Sequence, residues 1–191
     1  MNSNLIETDC LIIGAGPVGL FSVFELGLLD INCHVVDILD KPGGQCAELY
    51  PDKPIYDIPG IPKILGNDLV QSLMKQIEPF KPSFHLSRII TEVKKTNDNN
   101  WEVKTDFNET FITKVVVIAA GGGSFQPKKP PIKNIEKYED VSVFYSIRDI
   151  KKFSDKNIVI VGGGDSALDW ALSLYESAKS LTLIHRREEF R

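Results

Sequence analysis

Cysteine is scarce in this chain. Its 191 residues hold three, Cys10, Cys33 and Cys46. The number is odd and no metal-ligand spacing links them, so a disulfide framework is excluded and a reducing, cytoplasmic setting is expected. His34, His85 and His185 share no metal spacing either. The start, Met1-Asn2-Ser3-Asn4, lacks a basic region ahead of an apolar run, so the chain is read as having no signal peptide. Long hydrophobic runs are missing too. The longest charge-free stretch near the start lies between Asp9 and Glu25, contains Gly14, Gly16, Pro17 and Gly19, and falls short of the ~20 apolar residues of a membrane span. Neither sign of charge dominates: the net charge of -4 argues against general nucleic-acid or membrane-surface binding. There is no low-complexity tract and no short-period repeat. What is present, 42% hydrophobic residues, suffices for a packed core in one or two small domains.

The pattern along the chain predicts an α/β protein. Cys10 to Ile13 is a short apolar run that suits a buried parallel strand. Gly16 to Leu29 reads as a helix, apolar on more than one face and therefore expected to be buried. His34 to Val36 is the next strand and ends at Asp37, closing a βαβ unit. Lys41 to Gly66, rich in Pro and Gly, reads as an ordered binding loop. A helix capped by Asn67 or Asp68 follows, with Leu69, Val70, Leu73, Met74 and Ile77 as its apolar stripe, and Pro79 and Pro82 end it. His85 to Val93, Trp101 to Thr105 and Thr110 to Thr113 predict an antiparallel meander, with turns at Asn97 to Asn100 and Phe107 to Glu109. Val115 to Ala119 is a separate apolar strand running into Ala120-Gly121-Gly122-Gly123. Ser124 to Lys133 is a linker. Beyond it, Asn157 to Val161, Asp165 to Ser177 and Leu181 to Ile184 predict a second βαβ unit, with Ala167, Leu168, Ala171, Leu172 and Leu174 on the inner face of its helix.

Each unit carries a glycine motif where strand meets helix. Gly14-Ala15-Gly16-Pro17-Val18-Gly19 fits G-x-G-x-x-G. Gly14 permits the tight turn, Gly16 lets the backbone approach a pyrophosphate, and Gly19 lets the helix pack close to the strand. The helix N-terminus offers amides and a favourable dipole to phosphates. Asp37, at the end of the second strand, is placed to accept ribose hydroxyls. The second motif, Gly162-Gly163-Gly164-Asp165-Ser166-Ala167, fits G-x-G-x-x-A, with Ala167 in the packing role. Its second strand ends in His185-Arg186-Arg187 instead of an acid. Forked, permanently charged Arg186 and Arg187 suit a 2'-phosphate and favour NADPH over NADH.

These residues, together with Gly43-Gly44-Gln45, Tyr56-Asp57-Ile58-Pro59-Gly60, Ala119-Ala120-Gly121 and Phe190-Arg191, stand in the order seen in two-dinucleotide flavoproteins. Over essentially its whole length the chain resembles the ferredoxin–NADP reductases of the thioredoxin-reductase-like type. The resemblance implies a Rossmann-like FAD/NAD(P)-binding fold with an antiparallel β-meander over residues 1–124, then an incomplete Rossmann-like NADPH unit over 125–191. The second unit is cut short relative to that family, and the segment that returns to finish the FAD site is expected to be missing from these residues.

The resemblance also assigns residues. Gly14, Gly16, Pro17, Gly19 and Asp37 bind FAD; Gln45 and Tyr50 lie near the flavin, with Tyr50 stacked on its ring; the Ile90 backbone meets the adenine; and Phe125 lies beside the cofactor at the domain junction. Gly162, Gly164, Asp165, Ser166, Ala167, Arg186, Arg187 and Arg191 belong to the NADP(H) site. Thioredoxin reductases carry Cys-x-x-Cys shortly after the linker, where this chain has Val143-Phe144-Tyr145-Ser146-Ile147-Arg148. Glutathione-reductase relatives carry Cys-x4-Cys, where this chain has Cys46 and Pro51. With neither dithiol, electrons leave the flavin directly, which fits a one-electron carrier, ferredoxin or flavodoxin; the resemblance separately implies a homodimer of the complete protein. A non-catalytic dinucleotide-binding fragment, and a diaphorase or thioredoxin-reductase-like enzyme with another acceptor, stay open as alternatives. Cys46 reads as a small buried hydrophobe more than as a flavin-tuning thiol. Lys128, Lys129, Lys133, Lys151 and Lys152 read as solvated loop lysines more than as a docking face. No general acid or base and no metal ligand is assigned.

Overall fold

The computed structural model describes residues 4–123 and 129–187. It divides into two compact units, Met1–Ser146 and Ile147–Arg191.

In the first unit, β1 (Asn4–Ile13) leads into α1 (Pro17–Gly27) and β2 (Cys33–Val36). The predicted loop then contains α2 (Gly44–Glu48) and the two-residue strands β3 (Pro54–Ile55) and β4 (Ile64–Leu65), followed by α3 (Gly66–Ile77) and β5 (Ser83–His85). The meander is β6 (Ile90–Lys95), β7 (Trp101–Thr105) and β8 (Glu109–Ile118). One six-stranded sheet runs in the order β5-β2-β1-β8-β7-β6. Its first four strands are parallel, and β7 and β6 are antiparallel additions. Alternation along the strands gives the sheet two apolar faces. Cys10, Ile12, Cys33 and Val35 meet Leu20, Val23, Val70 and Ile77 of α1 and α3 on one side. Leu11, Val36, Val103 and Phe111 form the cluster of the other.

Several expectations are corrected. Strand β1 begins at Asn4, well before Cys10, because the amphiphilic start of β8 offers it a full ladder in which Ile6 pairs with Phe111. Thr110–Thr113 and Val115–Ala119, expected as separate strands, belong to one continuous strand that ends at Ile118, since β1 pairs along its whole length while β7 pairs only with Thr110–Thr113. His85 to Val93 is broken instead of continuous: Ser87 takes a left-handed φ of 54°, and the two halves pair with different neighbours. Helix α3 is capped by neither Asn67 nor Asp68. Leu65 is its N-cap, and carbonyls of the preceding loop do the work, with Gly66 N donating to Lys53 O and Asn67 N to Pro51 O. Helix α1 ends at Gly27 and only one side of it is buried; Val18 and Phe21, with Leu28 and Leu29 just beyond its end, are exposed.

The second unit is a βαβ of β9 (Asn157–Val161), α4 (Asp165–Leu174) and β10 (Ser180–Ile184), with β9 and β10 parallel. Leu174 is fully buried, whereas Leu172, expected inside, is exposed: it falls on the opposite side of the helix. Among the described residues no helix is long and apolar enough to cross a membrane, and no group of His, Cys, Asp and Glu is arranged to hold a metal ion.

Candidate functional site

The first glycine turn is fixed from three directions. Gly14 N donates to Val36 O, Ala119 N to Ile13 O and Gly43 N to Ala15 O, each at 2.8 Å. Asp37 adds a side-chain clasp: Oδ2 accepts from Ala15 N at 2.6 Å and Oδ1 from Leu39 N at 2.8 Å. The carboxylate keeps further acceptor positions on both oxygens. Its grip on the turn was not legible in the sequence, because nothing there says that residue 37 faces residue 15.

The glycines of this turn do different work. Gly14 has φ of 110°, and an added Cβ would lie 2.3 Å from Ala119 O. At Gly19 it would lie 1.9 Å from Gly14 O. Both exclude side chains to let backbone meet backbone. At Gly16 the nearest atom, Gly44 Cα, is 3.8 Å away, so the protein itself does not need glycine there. The opening is left for something outside the chain. Helix α1 makes its first bond from Leu20 N to Gly16 O at 2.9 Å, which leaves the Val18 and Gly19 amides at its N-terminal end. No acidic residue occupies its first turn.

A cleft of about 510 Å³ opens over this turn. Gly14, Gly16, Pro17, Asp37, Gln45 and Ile90 line it, so six of the sequence-assigned residues converge on one cavity. Gly19 stands behind it in its packing role. Arg88, Glu48 and Ala119 to Gly121 also line it, and sequence reasoning had not assigned Arg88 or Glu48 to the site. Arg88 stood two positions from Ile90, which was the available signal. Gln45 reaches across the glycine segment, its Nε2 only 3.1 Å from where a Gly122 Cβ would sit. Glu48 is buried, and its Oε1 accepts from Ser146 Oγ at 3.2 Å.

Tyr50 lines a second cleft of about 410 Å³, which shares Gln45 and Cys46 with the first and adds Lys53, Tyr56 and Asp57. Lys53 Nζ lies 5.2 Å from the Tyr50 ring centroid. Burial, with the Asp57 charge behind it, pushes the Cys46 thiol above its ordinary range, so it is a neutral thiol at pH 7. Phe125 and Arg191 lie outside the described residues.

In the second unit Gly162 N donates to Ile184 O at 3.0 Å, and Gly164 is the N-cap of α4, with Asp165 and Ser166 in its first turn. A Cβ on Gly162 would lie 2.9 Å from Ala167 Cβ, so Ala167 packs against the turn as its motif position requires. Gly164 has open space around its missing side chain. Gly163 faces the His185 ring, whose Nδ1 lies 1.9 Å from its ideal Cβ position. Arg186 and Arg187 follow directly, both exposed. Of the lysines, Lys129 is paired with Glu139 at 2.7 Å, Lys133, Lys151 and Lys152 are exposed, and Lys128 is outside the described residues.

This geometry defines a protein of the Rossmann-like FAD/NAD(P)-binding class: parallel strands, a glycine turn at a helix N-terminus, and an acid at the next strand end. The chain belongs to the pyridine nucleotide-disulphide oxidoreductase family, whose model matches residues 52–191. It is similar to proteins named ferredoxin–NADP reductase. One from a Bradyrhizobium species is 63% identical over 99% of this chain and 55% of its own length. Another, from Mesorhizobium japonicum, is 64% identical over the same shares. The chain thus spans about half the length of the curated relatives it matches. Among solved structures, Lactococcus lactis thioredoxin reductase aligns with a TM-score of 0.75 and 26% identity, over 96% of this chain and 58% of that one. The thioredoxin reductase of T. acidophilum shares the fold at a TM-score of 0.76 and 23% identity, over 96% of this chain and 58% of its own.

Proposed function

We propose that the chain is the FAD-binding part and the beginning of the NADPH-binding part of an oxidoreductase that passes electrons between NADPH and ferredoxin or flavodoxin. The observation that carries the FAD assignment is Gly16, a glycine at the N-terminus of α1 whose missing side chain would meet no atom closer than 3.8 Å, lining one cleft together with Asp37. The residues present fit the cofactor. The Val18 and Gly19 amides and the helix dipole meet the pyrophosphate. The unused acceptor positions of Asp37 take the ribose hydroxyls while its two backbone bonds hold it still. The Ile90 backbone borders the adenine, and Gln45 and Tyr50 carry the site toward the second cleft, where the Tyr50 ring offers a stacking face. In the second unit, Gly162, Gly164 and the start of α4 receive the NADPH pyrophosphate, and Arg186 and Arg187 its 2'-phosphate. Phe125 and Arg191 complete the set proposed from the sequence. When bound, FAD supplies the chemistry, accepting a hydride from NADPH and releasing the electrons onward.

The relatives' name supports ferredoxin as the acceptor. The absence of a dithiol from the two positions where disulfide reductases carry one supports direct release to a one-electron carrier. A flavodoxin partner, a cytoplasmic location and a homodimer of the complete protein belong to the same proposal. A second reading keeps the two glycine motifs as a dinucleotide-binding module without turnover. The visible spectrum of the purified chain, before and after anaerobic NADPH, separates the two. Flavin bands that bleach with NADPH and not with equal NADH support the enzyme. Retained flavin that NADPH leaves oxidised supports the module. A chain that neither retains nor takes up FAD refutes the cofactor assignment.

A further inference from the structure

The sheet face opposite α1 and α3 carries a cluster of titratable groups that the dinucleotide reading does not use. His34 of β2 and His85 of β5 stand side by side, with His34 Nδ1 2.9 Å from His85 Nε2 and the rings stacked at 5.1 Å. The edge of the pair abuts Phe111, which is fully buried. On its other side, His85 Nδ1 faces Glu109 Oε1 of β8 at 3.9 Å. Glu109 Oε2 accepts from Arg88 Nε at 3.0 Å and from Thr105 Oγ1 of β7 at 3.3 Å. Arg88 Cζ lies over the Phe107 ring, 3.8 Å from its centroid, and Arg88 lines the cleft next to Ile89 and Ile90. The same segment holds Asp37 by its backbone: Asp37 N donates to His85 O and Arg88 N to Asp37 O.

Glu109 decides the tautomers. Its carboxylate favours a proton on His85 Nδ1, which leaves His85 Nε2 an acceptor. His34 must then donate through Nδ1–H, and its Nε2 is bare. The groups run in line as Glu109, His85, His34, and an added proton enters at His34 Nε2. We propose that Glu109, His85 and His34 form a proton relay that sets the hold on Arg88 and thereby positions the cleft wall Arg88–Ile90 against the adenosine half of the dinucleotide. With the pair neutral, Glu109 is committed to Arg88. With one proton added, the imidazolium draws on the same carboxylate and weakens its bond to Arg88, which is then held mainly by Nη1 donating to Leu86 O at 3.2 Å and Ser87 O at 3.3 Å, and the wall loosens. Burial supports the neutral pair at pH 7: desolvation depresses both imidazoles, His34 further through His85, and His85 further through Arg88 against the opposing pull of Glu109.

The identity of the ligand rests on the FAD reading above; the relay itself does not. The imidazole C2–H resonances of the ligand-free chain are followed by NMR from pH 8 to 5, alongside FAD dissociation constants at pH 7.5 and 5.5. Expected are two coupled titrations below the ordinary histidine range, and FAD binding weaker by roughly threefold to tenfold at the lower pH, the scale of a weakened charged hydrogen bond. His34→Asn keeps a donor toward His85 without a titrating ring. It should bind FAD at pH 7.5 as the parent chain does and show a smaller pH dependence, since the entry at His34 Nε2 is gone and His85 alone can take the proton. His85→Gln, which keeps the acceptor at the Nε2 position, serves as the second variant if His34→Asn fails to fold. Independent titrations in the ordinary range, or an unchanged pH dependence in the variant that folds, overturn the relay. A chain that takes up no FAD at either pH overturns the cofactor reading, and the NMR titration then decides the relay alone.

Discussion

Replacing Gly16 and Gly19 separately by alanine divides ligand binding from folding within a single motif. At Gly19 the new Cβ would sit 1.9 Å from Gly14 O, a backbone atom that cannot swing away. Helix α1 must be pushed off β1, where Leu20 and Val23 are fully buried. Overpacking of this kind costs ~1–3 kcal/mol, and a backbone obstacle puts Gly19→Ala at or above the top of that range. At Gly16 the nearest atom is 3.8 Å from the new Cβ, and the backbone is extended at φ -73°, ψ 179°. Two small effects oppose there. Alanine is a poorer N-cap than glycine by up to ~1 kcal/mol, while stiffening the unfolded chain returns ~0.4–1 kcal/mol. The stability of Gly16→Ala should therefore match the parent within ~1 kcal/mol. Its methyl group fills the approach that a pyrophosphate needs, so FAD affinity should fall by a factor of about ten or more, equivalent to ~1.4 kcal/mol. Urea unfolding of the ligand-free variants and FAD titration read the two quantities independently. If Gly16→Ala proves as unstable as Gly19→Ala, the space above Gly16 serves the fold. If it is stable and binds FAD as before, the pyrophosphate does not pass there.

Asp37→Asn should destabilise the ligand-free chain by ~1–3 kcal/mol, because an amide retains one acceptor and turns a donor toward a backbone N–H; an unchanged urea midpoint would show that the clasp on Ala15 and Leu39 contributes nothing. Arg186→Gln and Arg187→Gln should each reduce the preference for NADPH over NADH by roughly tenfold, the worth of one charged hydrogen bond of ~1.5 kcal/mol, measured as the ratio of dissociation constants. The native thiols should resist labelling at pH 8. Burial, with Cys33 and Asp9 adding, pushes Cys10 up to about 11, and burial raises Cys33 as well; half-buried Cys46 should react before either, and rapid labelling of all three without denaturant would contradict the packing. Stability should fall as pH drops below about 6.5, the ordinary histidine value. His34 and His85 are depressed in the folded chain, so the unfolded chain binds more protons there and gains on acidification. A urea midpoint that rises between pH 7 and 5.5 would refute the assignment.

What could be read from the sequence follows the range of the interactions involved. The glycine motifs, the strands feeding them and the stripe Leu69, Val70, Leu73, Met74 and Ile77 were legible because each is written in neighbouring residues with a fixed period. The errors lie where a distant segment decides. Asn4 to Asp9 carries no strong strand signal, and only the ladder offered by β8 makes it a strand. Asn67 and Asp68 are good capping residues, but Lys53 O and Pro51 O reach the amides first. Between Gly16 and Leu29, apolar Phe21, Leu28 and Leu29 suggested burial on more than one face, yet apolarity records what a residue can bury against and not whether a partner is packed there. The His34–Glu109 cluster was invisible for the same reason. Its members come from β2, β5 and β8, and inspection for metal spacing tests proximity in sequence, which a sheet order of β5-β2-β1-β8 does not respect.

The two glycine motifs separate what the fold itself needs from what a bound ligand would need. In the first, Gly14 and Gly19 are fixed by contacts within the protein, and so is Gly162 against Ala167 in the second. A protein that bound nothing would still need them. Gly16 and Gly164 meet no such obstacle; at Gly164 nothing lies within 4 Å of the missing side chain. A glycine costs conformational entropy at any position, and neither residue has a left-handed φ to justify that cost. The same internal position of both motifs is therefore the one the fold leaves unexplained, and in both it stands as N-cap of a helix whose first amides point outward. A phosphate-bearing ligand explains both vacant side-chain positions by one cause, whereas a purely structural account needs a separate reason for each.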